Sequence, residues 1–246
     1  IGEGSLGGKA RGLAFLNNLI YKYSLSKKYP DVRISIPRSI VVATDYFDTF
    51  ILENGLQYVI DSDISDEDIL SEFVSSRLPE PLVEQLKVFV SSVDSPLAVR
   101  SSSKLEDSNY QPFAGVYSTY MIPLVENRDQ MLRMLEKAIK SVYASVFYAG
   151  SRTYIQTTAN LLSEEKMAVI VQSICGTANE GLYYPMMSGV ARSVNFYPLG
   201  NEKTEDGIVS LAFGLGKTIV DGGCSLRFSP KFPKKILQLS DPKLAM

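Results

Sequence analysis

Two cations occupy positions where their surroundings suggest chemistry. Arg100 follows the apolar run Pro96-Leu97-Ala98-Val99 and precedes Ser101, Ser102 and Ser103. A guanidinium at the end of a buried strand needs an anion or a carboxylate, because an unpaired buried charge is costly. The carboxyl ends of strands in α/β sheets are also where ligands bind, and three serines add hydroxyl and amide donors. Lys9 lies behind Gly7 and Gly8 at the start of a helical pattern. The helix dipole disfavours a cation there by about 0.3–1 kcal/mol. Paired glycines, however, let backbone approach a ligand closely, and the free amides of a first turn bind anions. Both residues therefore read as phosphate contacts. The competing readings are an internal Arg100–Glu106 ion pair and a solvated surface lysine.

The elements that must position these cations follow from periodicity. Leu13, Leu16, Ile20 and Tyr23 recur at helical spacing behind the glycines. "VRISIP" and "SIVVAT" read as two short strands, after which Thr44 is expected to cap a helix that Gly55 ends. Ser65 with Asp68 resembles a capping box, and Pro81 suits the first turn of a further helix reaching about Val93. "SPLAVRSSS" is a buried strand running into a polar loop, and "VYSTYMIPLV" is its returning partner. A single long helix is expected from Arg128 to about Ile155, with Met131, Leu135, Ile139, Val142 and Val146 on one stripe. "KMAVIVQSI", "GVARSVNFYP", "DGIVSLAFG" and "CSLRFSP" then read as strands separated by glycine turns. The texture changes from mixed to β-rich near residue 160, so the expected organisation is a first lobe over 1–160 and a β-rich second lobe over 161–246.

Other motifs are weaker. "GEGSLG" (Gly2 to Gly7) has the glycine spacing of a dinucleotide-binding turn, but only Ile1 precedes it and residues 24–28 supply no acid. "GLGKT" (Gly214 to Thr218) resembles the end of a P-loop, yet the position needing the first glycine is Leu211. Glu106 and Asp107 could be paired catalytic acids. Adjacent carboxylates in a serine-rich loop are more often turn or cap residues.

Composition narrows the classes. In 246 residues, 25 basic and 27 acidic side chains give a net charge of −2, which argues against a broad nucleic-acid or anionic-membrane surface. No apolar run has the length of a membrane span. Two cysteines, Cys175 and Cys224, are too few for a disulfide framework and fit a reduced, cytoplasmic protein in which each packs. The N-terminus lacks a signal-peptide core and does not start with Met, so the chain reads as part of a longer one. There is no histidine. Any histidine base, ligand or phosphohistidine must therefore come from another domain or polypeptide.

Taken together, "GSLGGKARGLAFL", "IPRSIVVATDYFDTFILENGL", "PLAVRSSSKLEDSNYQPFAGVYSTY", "MAVIVQSI", "SGVARS" and "FGLGKTIVDGG" resemble, in order, the N-terminal nucleotide-binding domain of the phosphoenolpyruvate synthase and pyruvate phosphate dikinase family. The resemblance covers nearly the whole chain. It implies an α+β, two-lobed ATP-grasp fold, here truncated at the C-terminus. It further implies that Lys9 and Arg100 hold the phosphates of ATP and act in catalysis, while Gly115 and Thr119 belong to the segment lying over them. Gln172 and the backbone of Ser173 and Ile174 would lie close to adenine, since a strand edge offers matching amide and carbonyl groups.

In that family ATP phosphorylates a histidine on a mobile domain, which carries the phosphate to pyruvate on a third domain. The resemblance thus implies ATP and Mg2+ as cofactors and phosphohistidine and pyruvate-binding domains as partners in the parent polypeptide. It implies metal ligands C-terminal to this chain, a fragment inactive alone, and a homodimer formed through other domains. "SGVARSVNFYP" departs from the family, which usually has Phe-Thr soon after Gly-Val. Two alternatives are a relative with another final acceptor, such as an antibiotic or a glucan, and a non-catalytic nucleotide-sensing module.

Overall fold

The computed structural model describes residues 1–62, 64–103, 117–157, 165–216, 219, 223 and 225–236. Gly115, Glu106, Asp107, Lys217, Thr218 and Cys224 lie outside these residues. The architecture is α+β, with helices and three antiparallel sheets. Two compact units divide the chain, Ile1–Ile174 and Cys175–Met246.

In the first unit the elements run α1 (Gly7–Lys22), α2 (Leu25–Lys28), β1 (Ser39–Val42), α3 (Thr44–Glu53), α4 (Tyr58–Asp61), α5 (Asp66–Ser75) and α6 (Glu80–Ser91). They continue as β2 (Leu97–Ser103), β3 (Thr119–Ile122), α7 (Arg128–Ala144), α8 (Ala149–Thr157) and β4 (Met167–Ser173). The sheet order is β1-β4-β2-β3, and every pairing is antiparallel. β4 pairs on both sides, which is why the first unit extends past the change of texture near residue 160 to take in this strand.

Alternation gives the sheet two different faces. Leu97 and Val99 on β2, with Met167, Val169 and Val171 on β4, join a core formed with α3, α5, α6 and α7. Phe47, Phe50, Phe73, Tyr143 and Phe147 make an aromatic cluster in that core, with ring centroids 5.0–6.2 Å apart. Edge-on and offset contacts of this kind add to the burial of the rings. The opposite face carries Ala98, Arg100 and Ser102 on β2, Thr119 and Met121 on β3, and Gln172 on β4. Part of it is covered by α1, which contacts β2 and β4.

Several local signals act as the sequence predicts. The Ser65 hydroxyl accepts from the Asp68 amide at 3.1 Å and donates to the Asp68 carboxylate at 2.8 Å, starting α5. Pro81 stands in the first turn of α6. Gly55 follows α3 at φ 63°, a left-handed conformation that glycine reaches without steric cost.

Other elements differ. "VRISIP" forms no strand; pairing begins at Ser39, two residues past Pro37, which has no amide hydrogen to donate. Thr44 is the first residue of α3 rather than its cap, and its hydroxyl is engaged elsewhere. The long helix expected over 128–155 breaks after Ala144 into a 3-10 turn, Ser145–Phe147, before α8 resumes. Serines satisfy carbonyls at the break: Ser145 donates to Val142 O at 2.7 Å and Ser151 to Ser145 O at 2.6 Å.

The second unit holds the hairpin β5 (Thr177–Asn179) and β6 (Leu182–Tyr184), then a sheet of β7 (Met187–Arg192), β8 (Ile208–Phe213) and β9 (Leu226–Phe228) in that order. Glu180 and Gly181 turn the hairpin with φ values of 50° and 79°, as a two-residue turn matching strand twist requires. Cys175 is exposed, so it does not pack as expected.

Candidate functional site

The first turn of α1 is fitted against β2 by a close backbone approach. Gly7 has φ 69°, and a Cβ there would stand 1.7 Å from the carbonyl oxygen of Ser102. Only glycine fits both the dihedral and the space. The Ser102 hydroxyl donates to Leu6 O at 2.8 Å and accepts from the Ala10 amide at 3.1 Å. Ser102 is fully buried.

The glycine-rich segment ahead of α1 is held by the start of α3. Asp45 accepts from the amides of Glu3 and Gly4 at 3.0 and 3.1 Å, and Thr44 Oγ1 accepts from Ser5 at 2.9 Å. Burial pushes the Asp45 carboxyl up, but amide hydrogen bonds from Glu3, Gly4, its own backbone and Tyr46 together hold it below its ordinary value.

Those restraints deliver Lys9 to β2. Its Nζ donates to Ser101 O at 3.3 Å and to Ser101 Oγ at 3.2 Å. Arg100 precedes Ser101 and faces Thr119 on β3 and Ile170 on β4. It lies inside β2, which continues to Ser103, rather than at the end of the strand as the sequence suggests. The sheet is antiparallel, so the site is built on a sheet face and not at parallel strand ends. Arg100 is half-buried. No hydrogen bond or ion pair joins its guanidinium to any of the described residues, and its sequence rival Glu106 is outside them.

Gln172 stands on the same face, directly across from Ala98 and thus one diagonal step from Arg100. Its Nε2 donates to Ser39 Oγ at 3.1 Å, and Ser39 in turn donates to Pro37 O at 2.8 Å. The next two amides are engaged: Ser173 N donates to Arg38 O at 2.8 Å and Ile174 N to Pro96 O at 2.9 Å. A base approaching these positions therefore meets no free amide donor at 173 or 174.

The structure accordingly places Arg100, Thr119 and Gln172 on one sheet face of the first unit, with Ser173 and Ile174 at the end of β4. It brings the Lys9 ammonium to Ser101, next to Arg100 in β2 but alternating to the other face. Gly115 is outside the described residues. Sequence reasoning counted Ser102 among the anion donors and missed its role beneath α1, and it gave Thr44 and Asp45 no part in the site. Ser102 was within reach, since it falls two residues beyond Arg100 and so on the same face of a strand. The long-range contact of Asp45 with residues 3 and 4 had no local signal.

A dinucleotide-binding turn is excluded, because no parallel strand pair flanks "GEGSLG" among the described residues. Among those residues no group of three or more His, Cys, Asp or Glu could hold a metal ion. No described helix is long and apolar enough to cross a membrane.

Two curated relatives match. One is an uncharacterized phosphotransferase, YvkC, of Bacillus subtilis, 29% identical over 189 residues, covering 77% of this chain and 20% of the relative. The other is a phosphoenolpyruvate synthase of Aeropyrum pernix, 25% identical over 211 residues, covering 77% of this chain and 24% of the relative. The chain thus spans about a quarter or less of the relatives it matches. The family model described as "Pyruvate phosphate dikinase, AMP/ATP-binding domain" matches residues 3–232, and with the glycine-led helix and the α+β architecture, the chain belongs to that family of ATP-grasp-like domains.

Proposed function

We propose that this chain is the ATP-binding part of a phosphotransferase that passes a phosphoryl group from ATP to a histidine on a separate swivelling domain, which delivers it to pyruvate. The observation that carries the reading is the long-range contact of Lys9 with the residue that follows Arg100. Lys9 reaches Ser101, the residue after Arg100 in β2, across 92 residues of sequence. Two cations brought to successive residues of one strand favour an anion as ligand. The triphosphate of ATP is such an anion, and it is the ligand of the family to which the chain belongs.

In this reading Arg100 and Lys9 bind the phosphates and stabilise the charge that develops on the transferring group. Arg100 offers a planar fork of donors, and Lys9 a compact charge that exchanges Ser101 for a phosphate oxygen. Thr119, across from Arg100, and Gly115 lie over the phosphates. Gln172, oriented by Ser39, presents its amide oxygen to the exocyclic amine of adenine. Ser173 and Ile174 line the same end through groups other than their engaged amides. The acceptor histidine lies outside this sequence, which contains none. Mg2+ would neutralise phosphate charge, but the described residues supply no ligand cluster for it. A cytoplasmic setting suits a reduced cysteine and an ATP substrate.

The test is made on the parent polypeptide. Incubated with Mg-ATP carrying 32P in its β and γ phosphates, it should retain acid-labile label on a histidine. Arg100→Ala should abolish that label. Absence of both ATP binding and label in the unmutated protein would defeat the reading.

A further inference from the structure

Helix α1 carries Lys9, yet an apolar face does not hold it to the sheet. Its only buried residues are Gly7 and Ala10, both in the first turn. Phe15, Leu16 and Tyr21 further along are 62%, 49% and 74% exposed. Hydrophobic packing therefore does little to fix the helix or the lysine it carries. What fixes the first turn is polar and local. The first four amides of a helix have no partner within it, and no side chain of the preceding residue caps α1. Ser102, from a different element, takes the Ala10 amide instead, while its own proton goes to Leu6 O.

Leu6 and Ala10 bracket Lys9. One fully buried hydroxyl thus grips the backbone on both sides of the lysine. The same residue stands two places beyond Arg100 on the same strand face. We infer that Ser102 is a positioning residue for the phosphate site, setting α1 in register with β2 so that Lys9 and Arg100 meet one triphosphate together. The inference rests on the ATP reading above and adds to it a residue that touches no ligand.

Positioning has a signature that plain structural support lacks. Lys9 and Arg100 meet phosphates, whereas Gln172 and the end of β4 meet the base and have no contact with Ser102. Loss of the Ser102 hydroxyl should therefore weaken ATP binding selectively and leave adenosine binding nearly unchanged. The experiment uses the full-length polypeptide, with calorimetric Kd values for Mg-ATP and for adenosine measured on Ser102→Ala, Ser102→Cys and Ser102→Thr.

Ser102→Ala should weaken Mg-ATP about tenfold and adenosine less than twofold, the order expected for one lost buried hydroxyl. Ser102→Thr, which restores the hydroxyl, should recover most of the loss. Ser102→Cys keeps the size with a weaker donor and should fall between, and it decides the matter where the alanine variant does not fold. Equal weakening of ATP and adenosine, or unchanged ATP binding, overturns the inference while Arg100→Ala still weakens ATP. If the unmutated protein binds no ATP, the function itself fails, and this inference with it.

Discussion

Arg100 and Thr119 are directly paired across β2 and β3, with both side chains on the sheet face that turns away from the helical core. The pairing puts a half-buried arginine beside an exposed threonine. Arg100→Ala should cost about 1.5–3 kcal/mol of nucleotide binding, the range for a hydrogen bond to a charged group. That is roughly a ten- to 150-fold rise in the Kd for Mg-ATP, read by calorimetry on the parent protein. Unfolding of the variant should stay close to that of the unmutated chain, since the described residues give the guanidinium no partner to lose.

Gly7 should tolerate no side chain. Its left-handed dihedral alone would cost an alanine about 1–2 kcal/mol, and the 1.7 Å approach to Ser102 O forces the backbone to shift as well. Gly7→Ala should lower the urea midpoint and weaken ATP binding together, whereas Gly12→Ala, at a position with open space around it, should do neither. Matching urea midpoints for the two variants would show that the close approach does not exist in solution.

Asp45 predicts an acid limb to stability. Its carboxyl is held below the ordinary value in the folded chain and returns to about 3.9 when unfolded. A depressed folded pKa contributes stability that is present above the unfolded value and is lost as pH falls through the folded one. Unfolding free energy should therefore decline below about pH 4. Asp45→Asn should flatten that decline while lowering stability at neutral pH. Parallel pH profiles for the two proteins would refute the assignment.

Tyr143 makes the opposite kind of prediction. Its ring is fully buried in the aromatic cluster, and its hydroxyl has no hydrogen-bond partner among the described residues. Burial, with the charges of Asp45 and Asp48 nearby, drives the phenol well above its usual range, so it stays neutral. Removing an unsatisfied buried hydroxyl should leave the protein unchanged or more stable by about 1 kcal/mol. A clear loss of stability in Tyr143→Phe would mean that the oxygen is hydrogen-bonded.

The sequence was most informative where the signal was local. The Ser65 cap, the proline-led α6, β2 with its arginine and the apolar β4 all follow from neighbouring residues. It misled where tertiary contacts decide. The stripe over 128–155 keeps helical period through a break, because the residues on both sides still point into one core. The hairpin at 177–184 turns on Glu180, a residue with no special preference for positive φ. At the candidate site, each cation was visible on its own. Their proximity depends on Gly7 passing Ser102 and on Asp45 catching residues 3 and 4, contacts too distant in sequence for any pattern to register.

The central place of β4 also bears on how the chain assembles. β1 and β2 lie on either side of β4, and among the described strands β1 has no other neighbour. On a ribosome, β2 and β3 can meet as soon as both emerge, but β1 must wait until Met167–Ser173 has been made. Some 130 residues therefore separate the synthesis of Ser39 from that of its partner Gln172, and closing so large a loop slows folding. The face that presents Arg100, Thr119 and Gln172 comes into being only with this late insertion. A growing chain thus displays both cations well before the four-stranded sheet is complete.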